Sequence, residues 1–137
     1  MSSITNDAAA PSDPCAVLGR LIGAIESADF DAAAACYHPD VVIWHNHNRQ
    51  TQTREENLAT LRQFVGATTD RRYTDVRRQR IDGGANGEGV VQQHVLIATL
   101  QGGRTIELAA CLVCDVADGR ITRLDEYFDT AALRPRT

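Results

Sequence analysis

The chain has 137 residues, of which 43% are hydrophobic and 23% charged, and its formal net charge is −4 at pH 7. This length suits one domain with its own core, and the charge excludes the basic surplus typical of general nucleic-acid-binding proteins. No apolar run approaches the roughly 18 residues of a membrane span, and the N-terminus does not resemble a secretory signal. With four cysteines that fit reduced thiols, we expect a cytoplasmic protein without nucleic-acid or membrane partners.

Two helices are predicted at the start of the chain. Asp13 and Pro14 are typical of a helix start, because aspartate caps the first turn and proline is tolerated at the first helical position. One apolar face follows at helical spacing and ends near Ala28. Its residues are Leu18, Leu21, Ile22 and Ile25. The alanine run after Asp29 predicts a short second helix that reaches about Tyr37.

A strand and a third helix come next. The β-branched run Val41–His45 predicts a strand. Thr53 and Glu56 have the spacing of a capping box, which predicts the start of a helix. The apolar stripe of that helix is Leu58, Leu61 and Val65. Residues 1–12 are expected to be loose, residues 13–129 to form the single domain, and residues 130–137 to form a tail.

The second half of the chain predicts antiparallel strands. Asp118 and Gly119 supply the positive φ of a tight hairpin turn, and the glycine-rich stretch 82–89 predicts a loop. The predicted strands are Arg71–Ile81, Val90–Leu100, Thr105–Val116 and Arg120–Asp129. Three helices on one face of a strongly curved antiparallel or mixed sheet would make a cone-shaped α+β fold. We expect an internal pocket, because three short helices cannot fill so long a sheet.

Two segments, Tyr37–His45 (YHPDVVIWH) and Asp118–Phe128 (DGRITRLDEYF), resemble the nuclear transport factor 2-like superfamily. The SnoaL-like polyketide cyclase and ketosteroid isomerase branches are the most similar, and the resemblance extends from about Cys15 to Asp129. It implies a conical fold, an apolar pocket open at one end, and homodimers formed through the sheet. Members of the superfamily include isomerases, cyclases, dehydratases and non-enzymes, so the resemblance alone does not give the reaction.

The resemblance also places individual positions. The aspartate base of the ketosteroid isomerases falls on His45, the tyrosine donor to the oxyanion on Leu21, and the protonated aspartate donor on Cys111. Both oxyanion donors are therefore replaced, which argues against steroid-type isomerisation. Histidine can still accept a proton at the base position.

The register implied by the resemblance predicts a group of polar residues inside the pocket. His45 would be the general base, His94 its partner acid or donor, and Glu126 an orienting carboxylate. The residues expected to shape the substrate site are Trp44, Leu61, Leu96, Cys111, Leu124 and Phe128. The alternative for either histidine is a hydrogen-bonded structural role.

Alternation along the predicted strand Thr105–Val116 leaves a second register open. Ile106, Leu108 and Leu112 are more apolar than Glu107, Ala109 and Cys111. On pattern alone the Ile106 face is a possible core face. Both faces could also be apolar if the convex side of the sheet is buried in a dimer.

Other motifs carry weaker predictions. His45 and His47 would lie on one face about 7 Å apart on a strand that rises roughly 3.3 Å per residue, and no third ligand is indicated, so no metal site is predicted. Cys111 and Cys114 would point to opposite faces of a strand, so the C-x-x-C match does not indicate a redox site. The arginines between 71 and 80 indicate a solvated strand face or, alternatively, an anion site near the cavity mouth.

These observations favour a cofactor-independent isomerase, cyclase or dehydratase that acts on a small apolar carbonyl compound. The alternatives are a non-catalytic ligand-binding domain of the same fold and a dimeric interaction domain. An enzyme or a binding domain requires a cavity, whereas a pure interaction domain would have a filled interior without a cavity of about 300 Å³.

Overall fold

The computed structural model describes residues 12–83 and 87–133. The predicted loose segment 1–12 lies outside these ranges apart from Ser12, and the predicted tail is described only to Leu133. The predicted loop at 82–89 is described on either side of residues 84–86. The interpretation of these segments therefore remains a prediction.

Three α-helices and six strands form an α+β fold. The helices are α1 (Pro14–Glu26), α2 (Phe30–Cys36) and α3 (Arg54–Gly66), and a 3-10 turn follows at Thr130–Leu133. The strands are β1 (Tyr37–His45), β2 (Gln50–Gln52), β3 (Thr68–Ile81), β4 (Gly89–Leu100), β5 (Thr105–Ala117) and β6 (Arg120–Phe128). No helix in the described ranges is both long enough and apolar enough to cross a membrane.

Helices α1 and α3 start at the predicted capping residues, Asp13 and Thr53. The Asp13 carboxylate accepts a hydrogen bond from the Cys15 amide at 2.8 Å. At α3, the Thr53 hydroxyl and the Glu56 carboxylate form both halves of the capping box. Helix α1 ends two residues earlier than predicted, because Ala28 adopts a left-handed φ of 59° that turns the chain towards α2.

The six strands form one mixed sheet in the order β2-β1-β6-β5-β4-β3. Strands β1 and β6 are parallel, and the other neighbours are antiparallel. The predicted hairpin turn is present, since Asp118 and Gly119 have φ values of 53° and 76°. Strand β2 was not predicted, because its three residues are all polar.

The core lies between the helices and one face of the sheet, which we call the inner face. It includes Leu18 and Leu21 of α1 and Ile43 and Ile121 of the sheet, all at most 1% exposed. The opposite face, called the outer face, carries side chains that are half-buried or exposed. The cone-shaped α+β prediction is confirmed.

The register predicted for β5 was wrong. The inner-face residues of β5 are Ile106, Leu108 and Leu112, which pair with inner-face residues of β4 and β6. Glu107 and Ala109 are exposed on the outer face. Burial of the larger apolar side chains determines the register, so the alternative given by the alternation pattern was the correct one.

Candidate active site

A cavity of about 610 Å³ lies between the helices and the inner face. Its volume exceeds the roughly 300 Å³ at the lower end of small-molecule sites. The walls are mainly aliphatic and aromatic, and polar side chains are grouped at a few places. A pure interaction domain would have a filled interior, and the interior of this domain is not filled.

His45 and Glu126 form an ion-pair-type contact at this cavity. They occupy paired positions in the parallel strands β1 and β6, and His45 Nε2 lies 3.2 Å from Glu126 Oε1. The side chains are only 12% and 27% exposed. A carboxylate next to Nε2 favours the neutral tautomer with its proton on Nε2, and in that tautomer Nδ1 carries a lone pair that can accept a proton.

Asn46 holds the two strands together beside this pair. Its side-chain amide donates to the Phe128 carbonyl at 3.1 Å, and its carbonyl oxygen accepts from the Phe128 amide at 3.0 Å. The Asn46 backbone amide donates to the Glu126 carbonyl at 3.0 Å. The backbone on both sides of the His45–Glu126 contact is thereby fixed.

His94 lines the same cavity from β4 and is 4% exposed. Its Nδ1 lies 2.9 Å from Nε2 of Gln92, whose Oε1 accepts a hydrogen bond from Arg78 Nε at 2.7 Å. Burial lowers the pKa of His94, the Glu126 carboxylate opposes this effect, and the Arg78 guanidinium adds to it. His94 is therefore a neutral imidazole at pH 7.

Tyr73 is a cavity residue that the sequence analysis missed. Its ring lies edge-on to the His94 ring, with centroids 4.8 Å apart, and its backbone amide donates to Glu26 Oε2 at 2.8 Å. Burial, with the Glu126 and Glu26 carboxylates, raises the pKa of Tyr73 against the opposing effect of Arg71, so the hydroxyl stays protonated. Among the described residues this hydroxyl has no hydrogen-bond partner, and it is left facing the cavity.

A second polar group was also missed. The Tyr37 hydroxyl donates to Asn57 Oδ1 at 2.9 Å, and the Asn57 amide donates to Gln52 Oε1 at 3.1 Å. Gln52 in turn donates to the Thr60 hydroxyl at 2.8 Å. Burial raises the pKa of Tyr37 well above its ordinary value. This chain of neutral groups satisfies itself and gives one wall of the cavity a fixed polar strip.

The predicted substrate-binding residues divide between the two faces of the sheet. Leu61, Leu96, Leu124 and Phe128 line the cavity. Trp44 and Cys111 were placed wrongly, because both lie on the outer face. Trp44 stacks on Tyr127 with centroids 5.3 Å apart, and Cys111 borders a shallow outer depression together with Tyr127. For Cys111 the cause is the β5 register; for Trp44 it is strand alternation, which turns it away from His45.

The remaining motifs are placed as follows. His47 lies at the cavity wall with its ring 5.7 Å from that of His45, and no group of three metal-ligating side chains occurs within residues 12–83 and 87–133. Cys114 is buried and Cys111 half-buried, on opposite faces of β5. Burial raises the pKa of Cys114 well above its ordinary value. Arg104 lines the cavity from the β4–β5 turn.

The family comparison agrees with this architecture. The family model described as a SnoaL-like domain matches residues 18–124. No curated protein sequence matches the chain. The match covers the elements that contribute both His45 and Leu124 to the cavity.

Several solved structures share the fold. A candidate polyketide cyclase from Pseudomonas putida KT2440 has 17% identity and a TM-score of 0.75 over 88% of this chain and 95% of its own. IdmH, a candidate polyketide cyclase from Streptomyces antibioticus, has 21% identity and a TM-score of 0.72 over 87% and 94%. TerC, co-crystallised with polyporic acid, has 21% identity and a TM-score of 0.71 over 90% and 95%. At these identities the likeness establishes the fold.

Proposed function

Because the chain belongs to the SnoaL-like domain family of the nuclear transport factor 2-like superfamily, we propose that it is a cofactor-independent isomerase, cyclase or dehydratase that uses histidine acid/base chemistry. The substrate class is a small, mainly apolar carbonyl compound. The observation that carries the proposal is that the His45–Glu126 pair opens onto the same cavity as His94 and Tyr73.

The proposed first step is removal of a proton from the carbon next to the substrate carbonyl. Nδ1 of His45 takes the proton, and the electron pair of the broken C–H bond moves to the carbonyl oxygen as an enolate. The Glu126 carboxylate lies 3.2 Å from Nε2 and would stabilise the positive charge of the imidazolium that forms. The proton then returns to another carbon or to a leaving hydroxyl, or the enolate carbon attacks a second carbonyl, whose oxygen takes the proton from His45 to become a hydroxyl. These routes correspond to isomerisation, dehydration and cyclisation.

The enolate oxygen requires hydrogen-bond donors, and the family's usual positions do not provide them. Leu21 has no polar group, and Cys111 is on the outer face. Tyr73 and His94 offer neutral donors on the inner face instead, next to each other and inside a cavity with apolar walls. One such donor is worth about 10²–10³-fold in rate when it is aimed at the developing charge.

The lining supports an apolar substrate with few polar groups. Aliphatic and aromatic side chains from α1, α3 and the inner face form most of the wall. Examples are Leu21, Ile25, Leu61, Phe64, Leu96 and Leu108. A ring or short chain with one or two carbonyl oxygens would bury its carbon surface there and direct its oxygens to Tyr73 and His94.

The proposal is tested by proton exchange rather than by turnover of an unidentified substrate. A panel of 1,3-diketones and β-keto esters is incubated in D₂O with the protein, and loss of the proton between the carbonyls is followed by NMR. We expect catalysed exchange that falls by about 10²–10⁴-fold in His45→Gln. His38→Gln is the matched control, since His38 is not among the cavity residues. Equal exchange in His45→Gln and the unmodified protein would refute the general-base assignment.

The second candidate is a non-catalytic ligand-binding domain, and the replacement of both family oxyanion donors favours it. In that case the panel compounds bind, as seen by chemical-shift changes in the cavity, but exchange is no faster than without protein. The same experiment therefore separates the two functions. A ligand that binds without exchange in every variant would support the binding domain.

We also propose that two copies associate through the outer face. Trp44 and Tyr127 stack on this face, and Tyr127 is 44% exposed. Half-buried Val95 and Ile97 extend the apolar surface along β4. Sedimentation velocity should show a dimer for the unmodified chain and a monomer for Val95→Arg. A monomer in both cases would contradict the proposal.

The free thiols of the described chain suit the reducing cytoplasm, which is the location we propose.

A further inference from the structure

Arg78, Gln92 and His94 form a line of hydrogen bonds behind the cavity wall. Arg78 Nε lies 2.7 Å from Gln92 Oε1, and Gln92 Nε2 lies 2.9 Å from His94 Nδ1. Gln92 is completely buried, at 0% exposure, so water does not compete for either contact. A buried glutamine in the middle of an apolar sheet is costly unless its amide is satisfied. Each of the two contacts therefore needs one atom that donates and one that accepts a hydrogen bond.

The direction of the line follows from the chemistry of its first member. A guanidinium only donates hydrogen bonds, so the Gln92 atom that faces Arg78 must be the carbonyl oxygen. The amide nitrogen of Gln92 then faces His94, and an amide nitrogen only donates. Nδ1 of His94 must accept. Neutral His94 consequently carries its proton on Nε2.

We propose that Gln92 and Arg78 are positioning residues that fix the tautomer of His94, so that its Nε2–H is presented as a hydrogen-bond donor to a ligand oxygen in the cavity. Among the described residues Nε2 has no protein partner. The catalytic use of this donor depends on the proposed function, whereas the tautomer itself does not.

Two features of the backbone keep Arg78 in place. Strand β3 has a register shift between Thr74 and Arg77, where Asp75 adopts a φ of 52°, and the shift brings Arg78 opposite Gln92. On the helix side, a β-carbon at Gly19 would lie only 2.9 Å from Arg78 Nη1. The guanidinium therefore lies against α1 where no side chain is present.

The tautomer is measured directly by long-range proton–nitrogen correlation NMR on the 137-residue chain labelled with ¹⁵N-histidine at pH 7.5. The chain has four histidines, and His94 is assigned by the signal lost in His94→Gln. We expect a pyridine-like shift for Nδ1 and a pyrrole-like shift for Nε2. The opposite assignment in the unmodified protein would overturn the inference.

Gln92→Glu tests the cause. This nearly isosteric change places only acceptors next to Nδ1, so the proton of neutral His94 should move from Nε2 to Nδ1, and the Nδ1 signal should become pyrrole-like while the Nε2 signal becomes pyridine-like. Gln93→Glu is the matched control, because Gln93 is exposed on the outer face of the same strand and should leave the His94 signals unchanged. A Gln92→Glu protein that folds and keeps the original tautomer would refute the role of Gln92.

A combined readout separates this inference from the proposed function. If His94 has the expected tautomer and no panel compound exchanges, the inference stands and the catalytic proposal fails. If exchange depends on His45 but His94 carries its proton on Nδ1, the catalytic proposal stands and the inference fails. If both hold, exchange in Gln92→Glu should fall by at least about tenfold, since one enolate donor is lost.

Discussion

Two glycines of helix α1 should respond in opposite ways to the same substitution. Gly19 and Gly23 both lie inside α1, where replacing glycine by alanine ordinarily stabilises a helix by about 0.8–1.0 kcal/mol. Nothing lies within 4 Å of a β-carbon at Gly23. At Gly19 the β-carbon would lie 2.9 Å from Arg78 Nη1, so the guanidinium would have to shift, and we expect the shift to break the bond from Arg78 Nε to Gln92.

The size of the difference follows from that bond. A hydrogen bond to a charged group contributes about 1.5–3 kcal/mol, which is more than the helix gains. We expect Gly23→Ala to raise the free energy of unfolding by about 1 kcal/mol. Gly19→Ala should lower it by about 0.5–2 kcal/mol if the bond is lost. Urea unfolding followed by circular dichroism measures both. An equal gain in the two variants would refute the account of how Arg78 is held.

Three further outcomes follow from the described contacts. Thr53→Ala should lower the free energy of unfolding by about 1 kcal/mol through loss of the capping box, whereas Thr51→Ala on exposed β2 should change it little; equal losses would contradict this. The pKa of His94 is lower in the folded chain than in the unfolded chain, so the unfolded chain binds a proton more readily at this residue. The free energy of unfolding should therefore fall as the pH drops below about 6.5. His94→Gln should reduce that pH dependence in urea titrations at pH 7.5 and 5.5, and an unchanged dependence would argue against it. In the monomeric Val95→Arg variant, Cys111 should react with a thiol reagent in the folded state and buried Cys114 only after unfolding; simultaneous labelling would disagree.

Local chemistry made much of the fold predictable. Caps at Asp13 and Thr53 and the hairpin turn at Asp118 depend on residues within a few positions of each other, so the sequence contains the whole signal. The inner face of β5 was predicted wrongly because the prediction used the register implied by the family resemblance, which placed Cys111 inside. The stronger local signal was the larger apolar side chains at Ile106 and Leu108.

The site could be predicted only in part. His45 and Glu126 meet because two parallel strands pair in register, and the register implied by the family resemblance, together with alternation along each strand, placed them on the inner face. Tyr73 and Arg78 share the inner face only because β3 contains an irregularity near Asp75. One extra residue changes the phase of alternation, and no glycine or proline there signals it. The positions of Tyr73 and Arg78 near His94 were therefore not visible in the sequence.

The parallel pairing of β1 with β6 also determines when the site exists. Asn46 and Phe128, which fix the backbone beside the His45–Glu126 contact, are 82 residues apart in the chain. At a synthesis rate of about 5–20 residues per second, the final strand follows the first by roughly 4–16 s. During that interval a nascent chain has its histidine but neither the carboxylate nor the strand that positions it. The proposed acid/base pair can thus form only when the last strand of the domain has been added, and a chain released before β6 lacks it.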